Sequence, residues 1–162
     1  MNKKLISVLV VSLALSGCVL TLPPDYSANT YGSKSAPIVS GPYQLADSHW
    51  SDLAKIKSEA ERLALQIGLG TLTKVEAARQ LGTYRIQVAG SNIVDDDVYR
   101  TYLNAAIDSS SGKIGNAQSK NLVKSSLAGW QKRWENMSDS QKPKNPAFTN
   151  FLNETMGLPY LK

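Results

Sequence analysis

The sequence predicts an all-α protein, a compact bundle of four to five helices joined by short loops. Three observations lead to that fold class. From Asp47 onward apolar residues recur at intervals of three and four, the spacing of one helix face. Capping residues and glycines divide these runs into helix-sized pieces. No segment sustains the alternation of a strand; the best attempt, Tyr84 to Val88, covers only five residues.

Each element has its own signals. Asp47 or Ser48 stands as cap before Trp50, Leu53, Ile56, Ala60, Leu63 and Ile67, and Gly68 and Gly70 stop that helix. Thr73 lies three residues before Glu76, a capping box that opens a second helix through Val75, Ala78, Leu81, Ile86 and Val88. Gly82 weakens its middle, and Gly90-Ser91-Asn92 ends it. The third is expected to start at Asp95-Asp96-Asp97 and to present Val98, Tyr102, Leu103 and Ala106. In the fourth, Val123, Leu127, Trp130, Trp134 and Met137 form one unbroken apolar stripe. The fifth takes Asn145 as cap and Pro146 as first residue, buries Phe148, Phe151, Leu152 and Met156, and closes at Gly157 and Pro159. Between the first two helices, Gly70-Thr71-Leu72-Thr73-Lys74-Val75-Glu76 is similar to the G-x-I/L-T-x-x-E turn of short helix-hairpin modules at the ends of many bacterial membrane proteins. That likeness spans seven residues, and no function is carried over from it.

The sequence ahead of this body is of another kind. Met1 to Lys4 holds two lysines and no acid, and Leu5 to Leu15 is eleven residues without a charge. These are the basic and apolar regions of a bacterial export signal. Leu15-Ser16-Gly17-Cys18 then places an aliphatic residue and two small ones before a cysteine, and this segment resembles the lipobox of bacterial lipoproteins. The resemblance implies cleavage between Gly17 and Cys18, diacylation of the Cys18 thiol and acylation of the new amino group. Each buried methylene contributes about 0.8 kcal/mol, so two or three chains hold a protein that one chain holds only marginally. Val19, where an aspartate would favour the inner membrane, implies the outer membrane in an enteric-type envelope. Beyond it Pro23, Pro24, Pro37 and Pro42 stand among glycines and serines, with only Asp25 and Lys34 charged, as suits an extended tether. The expected organisation is a signal peptide over 1–17, a lipidated N-terminus and flexible tether over 18–46, and a helical domain over 47–162.

Composition narrows the chemistry. A hydrophobic content of 42% with 19% charged residues excludes a disordered chain and a multi-span membrane protein. One cysteine excludes an intramolecular disulfide and a thiolate-rich metal site, and one histidine excludes a multi-histidine zinc site. Asp95-Asp96-Asp97 lacks the spaced acids, central glycine and terminal glutamate of a calcium loop, and reads instead as acids at a helix N-terminus. Ser110-Ser111-Gly112-Lys113 contains an S-x-x-K without its companion motifs and reads as an interhelical loop. His49 has Asp47 and Asp52 nearby, but those are ordinary residues of a helix start. Glu59 and Glu61, two apart, point to different sides of a helix. Trp130-Gln131-Lys132-Arg133-Trp134 interleaves aromatics and bases as a glycan or nucleic-acid platform does, yet its spacing places both tryptophans on the core stripe. No cofactor or metal is expected.

Charge is uneven along the chain. Residues 18–111 hold eight bases and ten acids, whereas residues 112–162 hold eight bases and three acids. Lys120, Lys124, Lys132 and Arg133 form the candidate binding surface, suited to an acidic protein or anionic lipid head groups. Nucleic acid is not expected as a partner outside the cytoplasm. The reading that follows is a non-catalytic outer-membrane lipoprotein. It is held to the membrane through acyl chains on Cys18 and acts by protein-protein binding as an adaptor, assembly or exclusion/immunity-type factor. The alternative is a small envelope enzyme acting on peptidoglycan or lipid through carboxylates that meet only in the fold.

Overall fold

The computed structural model describes residues 42–162. The signal peptide, Cys18 and the expected tether through Gly41 lie outside the described residues. Those described form an all-α bundle of five helices: α1 (His49–Gly68), α2 (Lys74–Ala89), α3 (Ile93–Ser110), α4 (Asn116–Asn136) and α5 (Ala147–Thr155). None is long and apolar enough to cross a membrane.

α1 packs on α2, α2 on α3 and α3 on α4. The shortest helix, α5, touches all four others. Every residue from Ala147 to Asn153 is buried, so α5 is enclosed on all sides rather than amphipathic. Its Phe148, Phe151 and Leu152 join Ile56, Leu63, Leu81, Val94, Val98, Leu127, Trp130 and Trp134 in one apolar core.

The local signals behave largely as expected. Thr73 caps α2 through a reciprocal box in which its hydroxyl accepts from the Glu76 amide and the Glu76 carboxylate accepts from the Thr73 amide. Gly70 closes the turn after α1, and Gly157 the one after α5, each at a positive φ that a side chain would strain. On α4 the stripe of Val123, Leu127, Trp130 and Trp134 is buried as its spacing predicts.

Four expectations change. Trp50, assigned to the α1 core face, is 49% exposed, and its neighbour His49 is buried in its place. Ile86 is exposed, while Arg85 beside it is only 3% exposed. The third helix begins at Ile93, with the Asn92 side chain accepting from the Asp95 amide as its cap. Asn145 does not cap α5: Pro146 takes the cap position, and Asp95 of α3 receives the Phe148 and Thr149 amides at 3.2 and 2.9 Å. In the first change burial follows hydrogen-bonding opportunity rather than hydropathy, since both His49 ring nitrogens find partners, and periodicity alone does not register this.

Before α1 the chain is already held. Tyr43 donates its hydroxyl to the Pro143 carbonyl at 2.8 Å, and its ring stands edge-on to Trp134. Burial and the nearby Asp139 push the Tyr43 hydroxyl up to about 12. The Ala46 amide donates to Lys144. The packed body therefore takes in Tyr43 to Ala46 ahead of the first helix.

Candidate functional site

The acidic triplet at the start of α3 illustrates how helix geometry separates neighbours. Successive residues on a helix are turned by roughly 100°, so the three carboxylates enter three environments. Asp95 is 1% exposed and faces inward. Its oxygens accept from the Asn92 amide group, the Phe148 and Thr149 backbone amides and the Thr149 hydroxyl. Burial pushes its pKa up, and those donors oppose the shift. Asp96 accepts from the Arg85 guanidinium at 2.7 Å and from the Ser91 hydroxyl. Asp97 accepts from the Trp130 indole at 2.9 Å and from Arg100, and Arg133 approaches it at 3.6 Å. Burial raises both of the latter, but Ser91 and Arg85 for Asp96, and Arg100 and Trp130 for Asp97, leave each below the usual carboxylate range.

Asp96 and Asp97 line a cleft of about 610 Å³ with Ser91, Asn92, Ile93, Arg100, Trp130 and Arg133. The Arg133 guanidinium lies 3.8 Å from the centre of the Trp130 ring. Both carboxylates in this cleft are thus ionised acceptors already engaged by cations.

His49 enters a different structure. Its Nδ1 lies 3.0 Å from the Asn145 side-chain oxygen, while the Asn145 amide group donates to Asp52 at 2.9 Å. The Asn150 amide group donates to His49 Nε2 at 3.1 Å and to the Leu161 carbonyl. The Leu161 amide in turn donates to the Asn150 oxygen at 2.7 Å. This pattern assigns a neutral ring with its proton on Nδ1. Burial lowers the His49 pKa, against opposing pulls from Asn145, Asp95 and Asp52. Both ring nitrogens serve to join α1, the α4–α5 loop and α5, so the imidazole is a tie within the core.

The basic residues of α4 are all exposed, but the helix does not bring them to one face. Lys120 and Lys124 lie on one flank, Lys132 is turned about 120° from Lys120 on the solvent side, and Arg133 is on the opposite flank. Arg133 is engaged with Trp130 and Asp97, as described. Lys120 lines a second hollow of about 310 Å³ with Lys74, Ile67, Tyr102, Val123 and Met156. A separate, smaller void of about 90 Å³ shares Ile67 and Tyr102 with it and is lined also by Leu63, Ala77 and Leu81.

Sequence reasoning missed Arg85, Asn145, Asn150 and Asn153 as interior polar groups. For α5 a signal existed: Thr149, Asn150 and Asn153 fill most of the positions between its apolar residues, leaving no charged face for solvent. Among the described residues no group of three or more His, Cys, Asp or Glu is arranged to hold a metal ion. The chain matches no protein family, no curated protein and no solved structure.

Proposed function

We propose that the protein is a lipid-anchored envelope factor, carried on acyl chains at Cys18 to the outer membrane, whose helical body acts by binding another envelope protein. The observation that carries the choice of binding over catalysis is the state of the two carboxylates in the cleft. Arg85 and Ser91 hold Asp96, and Arg100, Arg133 and Trp130 hold Asp97. Glycoside hydrolysis by a carboxylate pair needs one carboxyl group that carries a proton, and both carboxylates here are held below the usual range, while the sole histidine is built into the core.

The same cleft suits recognition. It presents fixed charges of both signs and an arginine-covered indole on a rigid wall, the residue types that anchor protein interfaces. The basic excess of residues 112–162 adds attraction toward acidic partners or anionic head groups.

Two measurements test this reading. Cys18→Ala blocks acylation and processing, so the chain accumulates as a precursor larger by its seventeen signal residues and loses palmitate labelling. A mature-sized variant that still fractionates with outer membranes overturns the anchor. Crosslinking in the native envelope, followed by pull-down, should recover a defined protein whose capture falls at least tenfold with Arg100→Glu and Arg133→Glu together. Capture unchanged by that double substitution removes the cleft from the interface.

A further inference from the structure

We infer that the hollow between α1, α2, α3 and α4 binds the chain of a long-chain fatty-acid carboxylate, with Lys74 and Lys120 pairing with its head group. The inference is independent of the protein-binding role proposed for the acidic cleft, since the two hollows share no lining residue.

The lining is sorted by polarity. Ile67, Ala106, Val123, Met156 and the Tyr102 ring supply an apolar side, Ser109, Asn116 and Ser119 add neutral polar groups, and a separate void of about 90 Å³ adjoins it at Ile67 and Tyr102. Lys74 and Lys120 are the two charged residues of the larger hollow. Lys74 donates to the neutral side chain of Asn116 at 3.0 Å, so its charge is not cancelled there. Among the described residues no acid lines either hollow. An apolar interior with two uncompensated cations is complementary to an anion carrying a hydrocarbon tail.

The same lining discriminates against a peptide. An extended peptide brings an N–H and a C=O with every residue, and each needs a partner once it leaves water. Ile67, Ala106, Val123 and Met156 offer none, and the neutral polar groups of Tyr102, Ser109, Asn116 and Ser119 are fewer than an extended peptide's paired N–H and C=O groups require. A hydrocarbon chain needs no partner there, and its carboxylate needs only the cations. The volume of about 310 Å³ lies at the small end of ligand pockets, which fits one acyl chain and not a two-chain lipid.

The test uses the full chain in its own membranes and a palmitate analogue bearing a mid-chain diazirine, with the matching fatty alcohol as control probe. After irradiation, adducts are mapped by mass spectrometry. The carboxylate probe should label peptides containing Tyr102, Ala106 or Met156, and excess unlabelled palmitate should compete it away. Labelling of those peptides should fall at least tenfold with Lys74→Glu plus Lys120→Glu, both exposed positions whose change leaves the core intact. Ala106→Trp, which fills the hollow, should abolish it, with helical circular dichroism confirming that the variant folds; if it does not fold, the lysine pair decides. Equal labelling by acid and alcohol, labelling unchanged in the lysine variant, or adducts scattered over the surface overturns the inference. So does crosslinking of a protein segment to these residues without any fatty-acid adduct.

Discussion

At the residue scale, the molecule depends on polar side chains buried in its interior, most of them hydrogen-bonded, although Arg85 Nε and Nη1 and Asn153 Oδ1 have no partner among the described residues. His49 is the clearest. Its folded-state pKa is lowered by burial from the ordinary 6.5. Above pH 6.5 the ring is neutral in folded and unfolded chains alike, and its contribution is fully present. As pH falls below 6.5 the unfolded chain takes up a proton that the folded chain refuses, so stability is lost progressively down to the lowered pKa. The partly compensating carboxylates, Asp52 on the same helix and Asp95 on α3, soften this loss without reversing it. Asp96 and Asp97 are held low, so their own contributions are lost as pH falls from the ordinary carboxylate range toward their lowered values. Burial raises the Asp95 pKa toward the same interval, so the share of the chain's one histidine is the part of the pH dependence that its substitution removes. Thermal unfolding should show a lower Tm at pH 5 than at pH 7, and His49→Gln should flatten that dependence. Asp95 is the second such residue. Asp95→Ala strands the Phe148 and Thr149 amides and the Thr149 hydroxyl inside the protein, at a cost of about 3 kcal/mol or more in urea unfolding. A loss below about 1 kcal/mol would mean that water reaches these donors.

At the element scale, α2 and α5 depart furthest from a simple amphipathic helix. In α2, Gly82 looks like a weak point by propensity alone. Yet a Cβ at this position would collide with the Tyr99 ring, and that ring is held beneath the Arg85 guanidinium, 4.6 Å away, and edge-on to Phe148. The glycine is what lets α2 and α3 approach. Gly82→Ala should destabilise by about 1–3 kcal/mol from overpacking, although alanine gains about 1 kcal/mol in intrinsic helicity. In a Tyr99→Ala background the same substitution should change sign and stabilise, which a double-mutant cycle in urea reads directly. The helix α5 shows the complementary case. It is nine residues long, too short to be stable by itself, and it exists because its four neighbours and the Asp95 cap surround it.

At the scale of the whole molecule, the ends of the described chain are fastened into the same core. Tyr43 packs on Trp134 near the N-terminal side, and Leu161 is buried and exchanges two backbone hydrogen bonds with Asn150. Leu161→Ala should cost about 2–5 kcal/mol as an ordinary core truncation. Deleting Leu158 to Lys162 should cost more, because it also removes the Leu161 carbonyl and amide that pair with the buried Asn150 side chain. Equal losses for the two variants would show that Asn150 finds water in place of the tail.

Five helices, the capping box at Thr73, the stripe of α4 and the glycine stops could all be read from the chain, because each is set by neighbours within a turn or two. Periodicity, caps and φ preferences are local properties, and they need no knowledge of the rest of the fold. The exchange of Trp50 for His49, the burial of Arg85, the division of the acidic triplet among three environments and the enclosure of α5 were decided only in three dimensions. Each depends on a partner far away in sequence: Asn145 and Asn150 for His49, Phe148 and Thr149 for Asp95. A polar side chain enters a core when such a partner repays its desolvation, and nothing in the local pattern announces where that partner will be. The same reasoning separates the basic residues of α4. The sequence by itself determined that they are exposed and numerous; only the helix's rotation and the positions of Asp97 and Trp130 decided that Arg133 is engaged in a cleft while Lys120 borders an apolar hollow.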